Sequence, residues 1–110
     1  MKISVRHLCK TTIFDVSGDV DFANSPELRD LLLREIQENH TSRVVLNLTA
    51  VRYLDSSGIA SLVEALKASR DTGSRFILFG LSDSAREALE LSRLNRVFEI
   101  YDNEVQALAA

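Results

Sequence analysis

The sequence predicts an α/β fold in a single domain spanning residues 1–110, a mixed sheet of four to five strands packed against about four α-helices. Two observations carry this expectation. Val44-Val45-Leu46-Asn47-Leu48 and Phe76-Ile77-Leu78-Phe79 are nearly continuous apolar runs, the pattern of strands covered on both faces. Between them Ile59, Leu62, Val63 and Leu66 recur at i, i+3, i+4 and i+7, the spacing that lines one face of a helix. Strand, helix, strand in this order makes a βαβ unit, so the two strands lie parallel with a right-handed crossover.

The remaining elements follow in chain order. Ile3, Val5, His7 and Cys9 alternate with Lys2, Ser4, Arg6 and Leu8, a period-2 strand pattern. After a turn near Lys10, Thr12, Phe14 and Val16 repeat it as an antiparallel partner that Gly18 ends. Gly18 to Asn24 reads as a loop, or as a strand running into one. Ser25-Pro26-Glu27 marks a helix start, with Ser25 as N-cap, proline at the first helical position and an acid in the first turn. Leu28, Leu31, Leu32 and Ile36 face the core, and His40-Thr41-Ser42 closes that helix. The helix from about 59 to 70 ends at Asp71-Thr72-Gly73, with glycine at the C-cap. Ser82 caps a further helix to about Leu94, with Ala85, Ala88, Leu89 and Ser92 on its inner face. Val97 to Ile100 is a short last strand, and Asn103 to Ala110 a terminal helix.

Composition removes several function classes. Of 110 residues, 45% are hydrophobic and 26% charged, which suits a globular domain able to bury roughly two-thirds of its unfolded surface. Thirteen basic residues against sixteen acidic ones give a net charge of −3, the opposite of the basic excess that marks a nucleic-acid-binding face. The single Cys9 forms no internal disulfide and no cysteine cluster for zinc. No apolar run reaches the roughly 18 residues that span a bilayer, and Met1-Lys2-Ile3-Ser4 leads into a strand rather than a signal peptide. A cytoplasmic domain forming the whole protein is expected, without membrane insertion.

The stretch with chemical content is Tyr53-Leu54-Asp55-Ser56-Ser57-Gly58-Ile59-Ala60, where a strand hands over to a helix. Two adjacent hydroxyls follow a carboxylate at a helix N-terminus, a place that favours anions. Ser56 or Ser57 serves as a simple cap there, worth about 1 kcal/mol. Alternatively, one hydroxyl accepts a phosphoryl group that the helix end helps to hold. A nucleophilic serine would need a base in reach. The only histidines, His7 and His40, are not evidently near, and no G-x-S-x-G elbow exists. Asp19 and Asp21 with Asp55 suggest an oxygen-ligand metal site, but carboxylates at i, i+2 in a loop are more often turn formers, and no metal is assigned. His7 is expected at a sheet face, His40 exposed at a helix end, and Cys9 buried as a small apolar residue. Gly18, Gly58, Gly73 and Gly80 are isolated, so no phosphate-cradling loop and no nucleotide cofactor are expected.

The run Val45-Leu46-Asn47-Leu48, Val51 and Leu54-Asp55-Ser56-Ser57-Gly58-Ile59 resembles the signature of STAS domains, and specifically of bacterial anti-sigma factor antagonists. Gly18-Asp19-Val20-Asp21 resembles that family's G-[DE]-[LV]-D loop, with Asp19-Val20 where Glu-Leu or Glu-Ile is frequent. Leu91-Ser92-Arg93-Leu94 leading to Val97-Phe98-Glu99-Ile100-Tyr101 resembles its terminal pattern, and the likeness runs from about Ile3 to Ala109. The resemblance implies a STAS-type fold and a non-enzymatic partner switch. The unphosphorylated protein would bind an anti-sigma factor that is also a serine kinase, freeing a sigma factor. Phosphorylation at Ser56 would release it, and a PP2C-type phosphatase would reset it. It further implies a partner-binding surface at Asp21, Asp55, Ser57, Gly58 and Ile59, no cofactor, and a monomer or weak dimer. Two other outputs share these features. One is a STAS subunit of an ABC-type lipid transporter that binds its ATPase, a class in which the serine of D-S-S-G is often replaced. The other is a partner switch wired to a pathway other than a sigma factor.

Overall fold

Strand β3, Arg43–Leu54, is the longest in the sheet, and the reason is its neighbours: it runs between two parallel strands. The computed structural model describes residues 1–110. Five strands lie in spatial order β1-β2-β3-β4-β5, with β1 at Lys2–Leu8, β2 at Thr11–Val20, β4 at Arg75–Phe79 and β5 at Glu99–Tyr101. β1 is antiparallel to β2, and every other pairing is parallel. Helix α1 covers Ser25–Leu33, α2 Ser56–Thr72, α3 Asp83–Leu91 and α4 Glu104–Ala109. The expected α/β mixed sheet of four to five strands with about four helices is the observed fold.

Side-chain alternation along the central strands explains the two layers. Val44, Leu46 and Leu48 of β3 join Phe14 and Val16 of β2, Phe76 and Leu78 of β4, and the inner faces of α1, α2 and α3 in one 21-residue cluster. The alternate positions Val45, Ile77 and Ile13 point the other way with Phe79, and form a smaller cluster closed by Ala107 of α4. Both apolar runs are thus covered on both faces, as the unbroken hydrophobicity required.

Several boundaries differ from the sequence reading, each for a local reason. β2 does not stop at Gly18 but continues to Val20. Gly18 takes a positive φ of 92° at an irregularity in the β2–β3 register, where a glycine bends the chain without breaking the ladder. Ser25 is not the N-cap of α1. Asn24 occupies that position without a side-chain cap bond, and Ser25 is buried with its carbonyl accepting from Ser61 Oγ of α2 at 3.3 Å. The helix after α1 widens into a π-turn at Arg34–Glu38, which turns both Glu35 and Ile36 inward. α3 ends at Leu91 and leaves Ser92 exposed, not inward. Cys9 is exposed in the tight β1–β2 turn with φ 54°, because β1 stops one residue before it. Ser82 and Asn103 do cap α3 and α4, accepting from the Ala85 and Gln106 amides.

Candidate functional site

Parallel strands end together, so the loops after β2, β3 and β4 share one edge of the sheet, the edge where open α/β sheets place ligands. Val20 pairs with Leu54 at the ends of β2 and β3, and the Asp55 amide extends this pairing to the Val20 carbonyl at 3.2 Å. Asp55 is extended, with φ −87° and ψ −176°, and is the N-cap of α2. Its Oδ1 accepts from the Gly58 amide at 2.9 Å, and its Oδ2 from the Phe22 amide at 3.1 Å. One carboxylate therefore holds both the helix that carries the serines and the loop after β2.

This arrangement alters the capping argument. Neither serine is the cap; the carboxylate before them is. Ser56 and Ser57 are the first two helical residues, whose backbone amides have no intrahelical acceptor. Ser56 is exposed and its hydroxyl makes no hydrogen bond within the protein, whereas Ser57 is half-buried and its carbonyl accepts from Ser61 Oγ at 3.1 Å. The two serines also line different grooves. Ser56 opens, with Ile59, Val63, Lys67 and Leu94, onto a groove of about 420 Å³ between α2 and the chain after α3. Ser57 opens, with Phe22, Pro26, Arg29 and Glu64, onto one of about 470 Å³ between α1 and α2.

The other residues of the expected surface divide by depth. Asp21 is half-buried, and its Oδ1 accepts from the Asn24 amide at 3.0 Å, so it shapes the loop beside Asp55. Ile59 is 7% exposed and belongs to the main core cluster. Gly58 is buried, and a Cβ there would lie 2.7 Å from the Val20 carbonyl oxygen and 2.6 Å from Leu54 Cδ1. Gly58 and Ile59 thus seat the first turn of α2 against the sheet, while Ser56, Ala60 and half-exposed Asp55 and Ser57 form its outer surface.

Phe22 was not singled out by the sequence reading, yet it is 80% exposed on the loop held by Asp55. Its signal was a bulky apolar residue inside an otherwise polar loop. Glu35 was also missed, because it falls at an ordinary helical position. It is buried, and accepts from Thr12 Oγ1 at 2.5 Å, Thr41 Oγ1 at 2.6 Å and Asn39 Nδ2 at 2.8 Å. Burial pushes its carboxyl up, but these three bonds outweigh burial and hold it below its ordinary value. Glu35, His7, Cys9 and His40 line a cleft of about 350 Å³ at the N-terminal ends of β2 and β3. Both histidines are therefore at the opposite end of the strands from Ser56 and cannot act as its base. The oxygens of Asp21 and Asp55 are taken up by backbone amides, and Asp19 lies 4.0 Å from Arg52. No three His, Cys, Asp or Glu side chains converge in a metal-holding group.

The STAS domain family model matches residues 2–107. The chain belongs to the STAS domain family. It is 28% identical over 108 residues, 98% of this chain and 92% of the relative, to the anti-sigma F factor antagonist of Paenibacillus polymyxa. It is 33% identical over 90 residues, 81% of this chain and 77% of the relative, to the anti-sigma-B factor antagonist of Listeria monocytogenes. Among solved structures it resembles the anti-sigma factor antagonist SpoIIAA. The unphosphorylated form aligns with a TM-score of 0.84 at 18% identity, over 97% of this chain and 93% of that one. The phosphorylated form from Bacillus aligns with a TM-score of 0.76 at 17% identity, over 98% and 97%. At these identities the structural likeness establishes the shared fold.

Proposed function

We propose that this chain is an anti-sigma factor antagonist, a binding protein whose partner choice is set by phosphorylation of Ser56. The observation that carries the reading is the double use of Asp55. Because both its oxygens cap and brace the turn, the Ser56 hydroxyl is exposed, unbonded and dispensable to the fold. Antagonist relatives matching most of the chain support the same reading. The chain supplies the acceptor hydroxyl, an anti-sigma factor with serine kinase activity supplies the catalysis, and a PP2C-type phosphatase reverses it.

The physics of the switch follows from the site. A phosphoryl group adds a charge of about −1.5 to −2 beside Asp55. The unbonded amides at the start of α2 offset part of the local cost, about 0.3–1 kcal/mol for an exposed anion. The fold survives the modification. A partner seated closely on the turn meets an unpaired charge in its interface, and that is expensive.

The test uses purified anti-sigma kinases of the source organism. With ATP, the expected product carries one phosphoryl group on Ser56, located by tandem mass spectrometry. In titrations Ser56→Ala keeps the affinity of the unmodified chain, and Ser56→Asp lowers it by at least about 100-fold, as a like charge in an interface costs several kcal/mol. Equal affinities for the two variants, or phosphate found only elsewhere, would overturn the reading. Binding of both variants to a transport ATPase would assign the chain to lipid transport.

A further inference from the structure

We infer that Phe22 is the apolar anchor by which the anti-sigma factor grips this chain, and that the partner presents a ring-sized apolar pocket with basic groups at its rim. The inference rests on the antagonist reading and goes beyond it, because it names a contact residue and the chemistry of the surface that receives it.

Phe22 is 80% exposed, so its ring does nothing for the core. Its backbone is nevertheless held on every side. The Phe22 amide donates to Asp55 Oδ2 at 3.1 Å, the Asn24 amide to Asp21 Oδ1 at 3.0 Å, and the Ser25 amide to the Asp21 carbonyl at 2.8 Å. Asn24 Nδ2 adds a bond to the Asp19 carbonyl at 3.3 Å. A large ring on a pre-ordered turn loses little conformational freedom on binding, which is the condition for an efficient anchor. Other exposed large apolar residues, such as Leu91 and Val105, lie on or beside α3 and α4, away from this edge. Phe22 alone among them is bonded to the carboxylate that caps the Ser56 helix.

The chemistry of the partner follows from what surrounds the ring. Below it the α1–α2 groove continues past Pro26 and Ala60 to Arg29 and Glu64, which lie 3.6 Å apart and offset one another. Asp21 and Asp55 flank the ring with half-exposed carboxylates. An apolar pocket with a basic rim complements both features. The same geometry couples the anchor to the switch: a phosphoryl group on Ser56 adds its charge next to the carboxylate that holds Phe22 in place.

The chain contains no tryptophan, so Phe22→Trp introduces its only indole and reports burial directly. The full chain and its variants are titrated against each purified anti-sigma kinase of the source organism, with partner emission subtracted. Phe22→Trp is expected to bind with a blue-shifted emission. Phe22→Ala is expected to lose about 30-fold in affinity, the scale of an interface hot spot, while its melting temperature stays within about 2 °C of the parent, as for an exposed site. Wild-type affinity in Phe22→Ala, or an unshifted indole, together with loss of binding in Ser56→Asp, would overturn the anchor and leave the switch standing. Binding by no anti-sigma kinase, or unchanged binding in Ser56→Asp, would overturn both.

Discussion

At the scale of single residues, the site depends on the absence of a side chain as much as on the presence of one. Gly58 lets the first turn of α2 lie against the end of β2, with Val20 oxygen where a Cβ would stand at 2.7 Å. Helix propensity alone favours Gly58→Ala by about 1 kcal/mol. Overpacking against backbone costs about 1–3 kcal/mol, and since the clash falls on a strand carbonyl that cannot rotate away, the steric cost wins. Gly58→Ala is therefore expected to lower the urea midpoint and to loosen the Asp55 cap, whose Oδ1 receives the Gly58 amide. A higher midpoint would mean that the turn relaxes freely. The D-S-S-G tetrapeptide was legible in the sequence as a strand-to-helix junction, but the division of labour inside it was not. Serine and aspartate are comparable N-caps, and only the approach of the Phe22 amide to Asp55 shows why the aspartate takes the position.

At the scale of elements, the π-turn after α1 makes a buried carboxylate useful. Widening the helix at Arg34–Glu38 places Glu35 and Ile36 inward together, and Glu35 then ties β2 through Thr12 to the α1–β3 connection through Asn39 and Thr41. Its pKa is lowered from the ordinary 4.5. A carboxyl depressed in the folded state contributes stability that is fully present above its unfolded value and is lost as pH falls through its folded value. Asp15, lowered chiefly by its bonds from Arg6, acts in the same direction from an ordinary value of 3.8. Stability is thus expected to fall as pH drops below about 4.5, in the range where Glu35 takes up its proton. Glu35→Gln is expected to flatten this decline, leaving the part due to Asp15, and to lower stability at pH 7 by about 1–3 kcal/mol through the mismatched donor. Urea titrations from pH 3 to 7 on both proteins check this; parallel curves would remove Glu35 from the account. Sequence periodicity missed this element because a π-turn breaks the 3.6-residue repeat on which the helical reading relied.

At the scale of the whole molecule, the two faces of the sheet are covered very unequally. α1, α2 and α3 close one face, and the six-residue α4 alone closes the other over Ile13, Val45, Ile77 and Phe79. α4 is held by polar ties as well as by Ala107. Arg6 bonds both Asp15 and Glu104, and Arg43 donates to the Leu108 and Ala110 carbonyls. Deleting residues 103–110 uncovers the smaller core cluster and strips Arg6 and Arg43 of partners. The shortened chain is expected to bind a hydrophobic dye, to melt with reduced cooperativity and to associate at micromolar concentration. An unchanged melting curve would show that the second face tolerates water.

The sequence by itself determined the α/β class, the βαβ core, the two doubly covered strands and the junction that bears Ser56. These are local patterns, since apolar continuity, helical spacing and turn chemistry act over a few neighbouring residues. The tertiary structure alone decided that Asp55 caps α2, that Ser56 and Ser57 open onto different grooves, that both histidines lie at the far end of the strands, and that Phe22 stands beside the switch. Each of those depends on contacts between segments distant along the chain, such as the Phe22 amide and the Asp55 carboxylate, whose approach is fixed by the pairing of β2 with β3 and by no pattern within either strand.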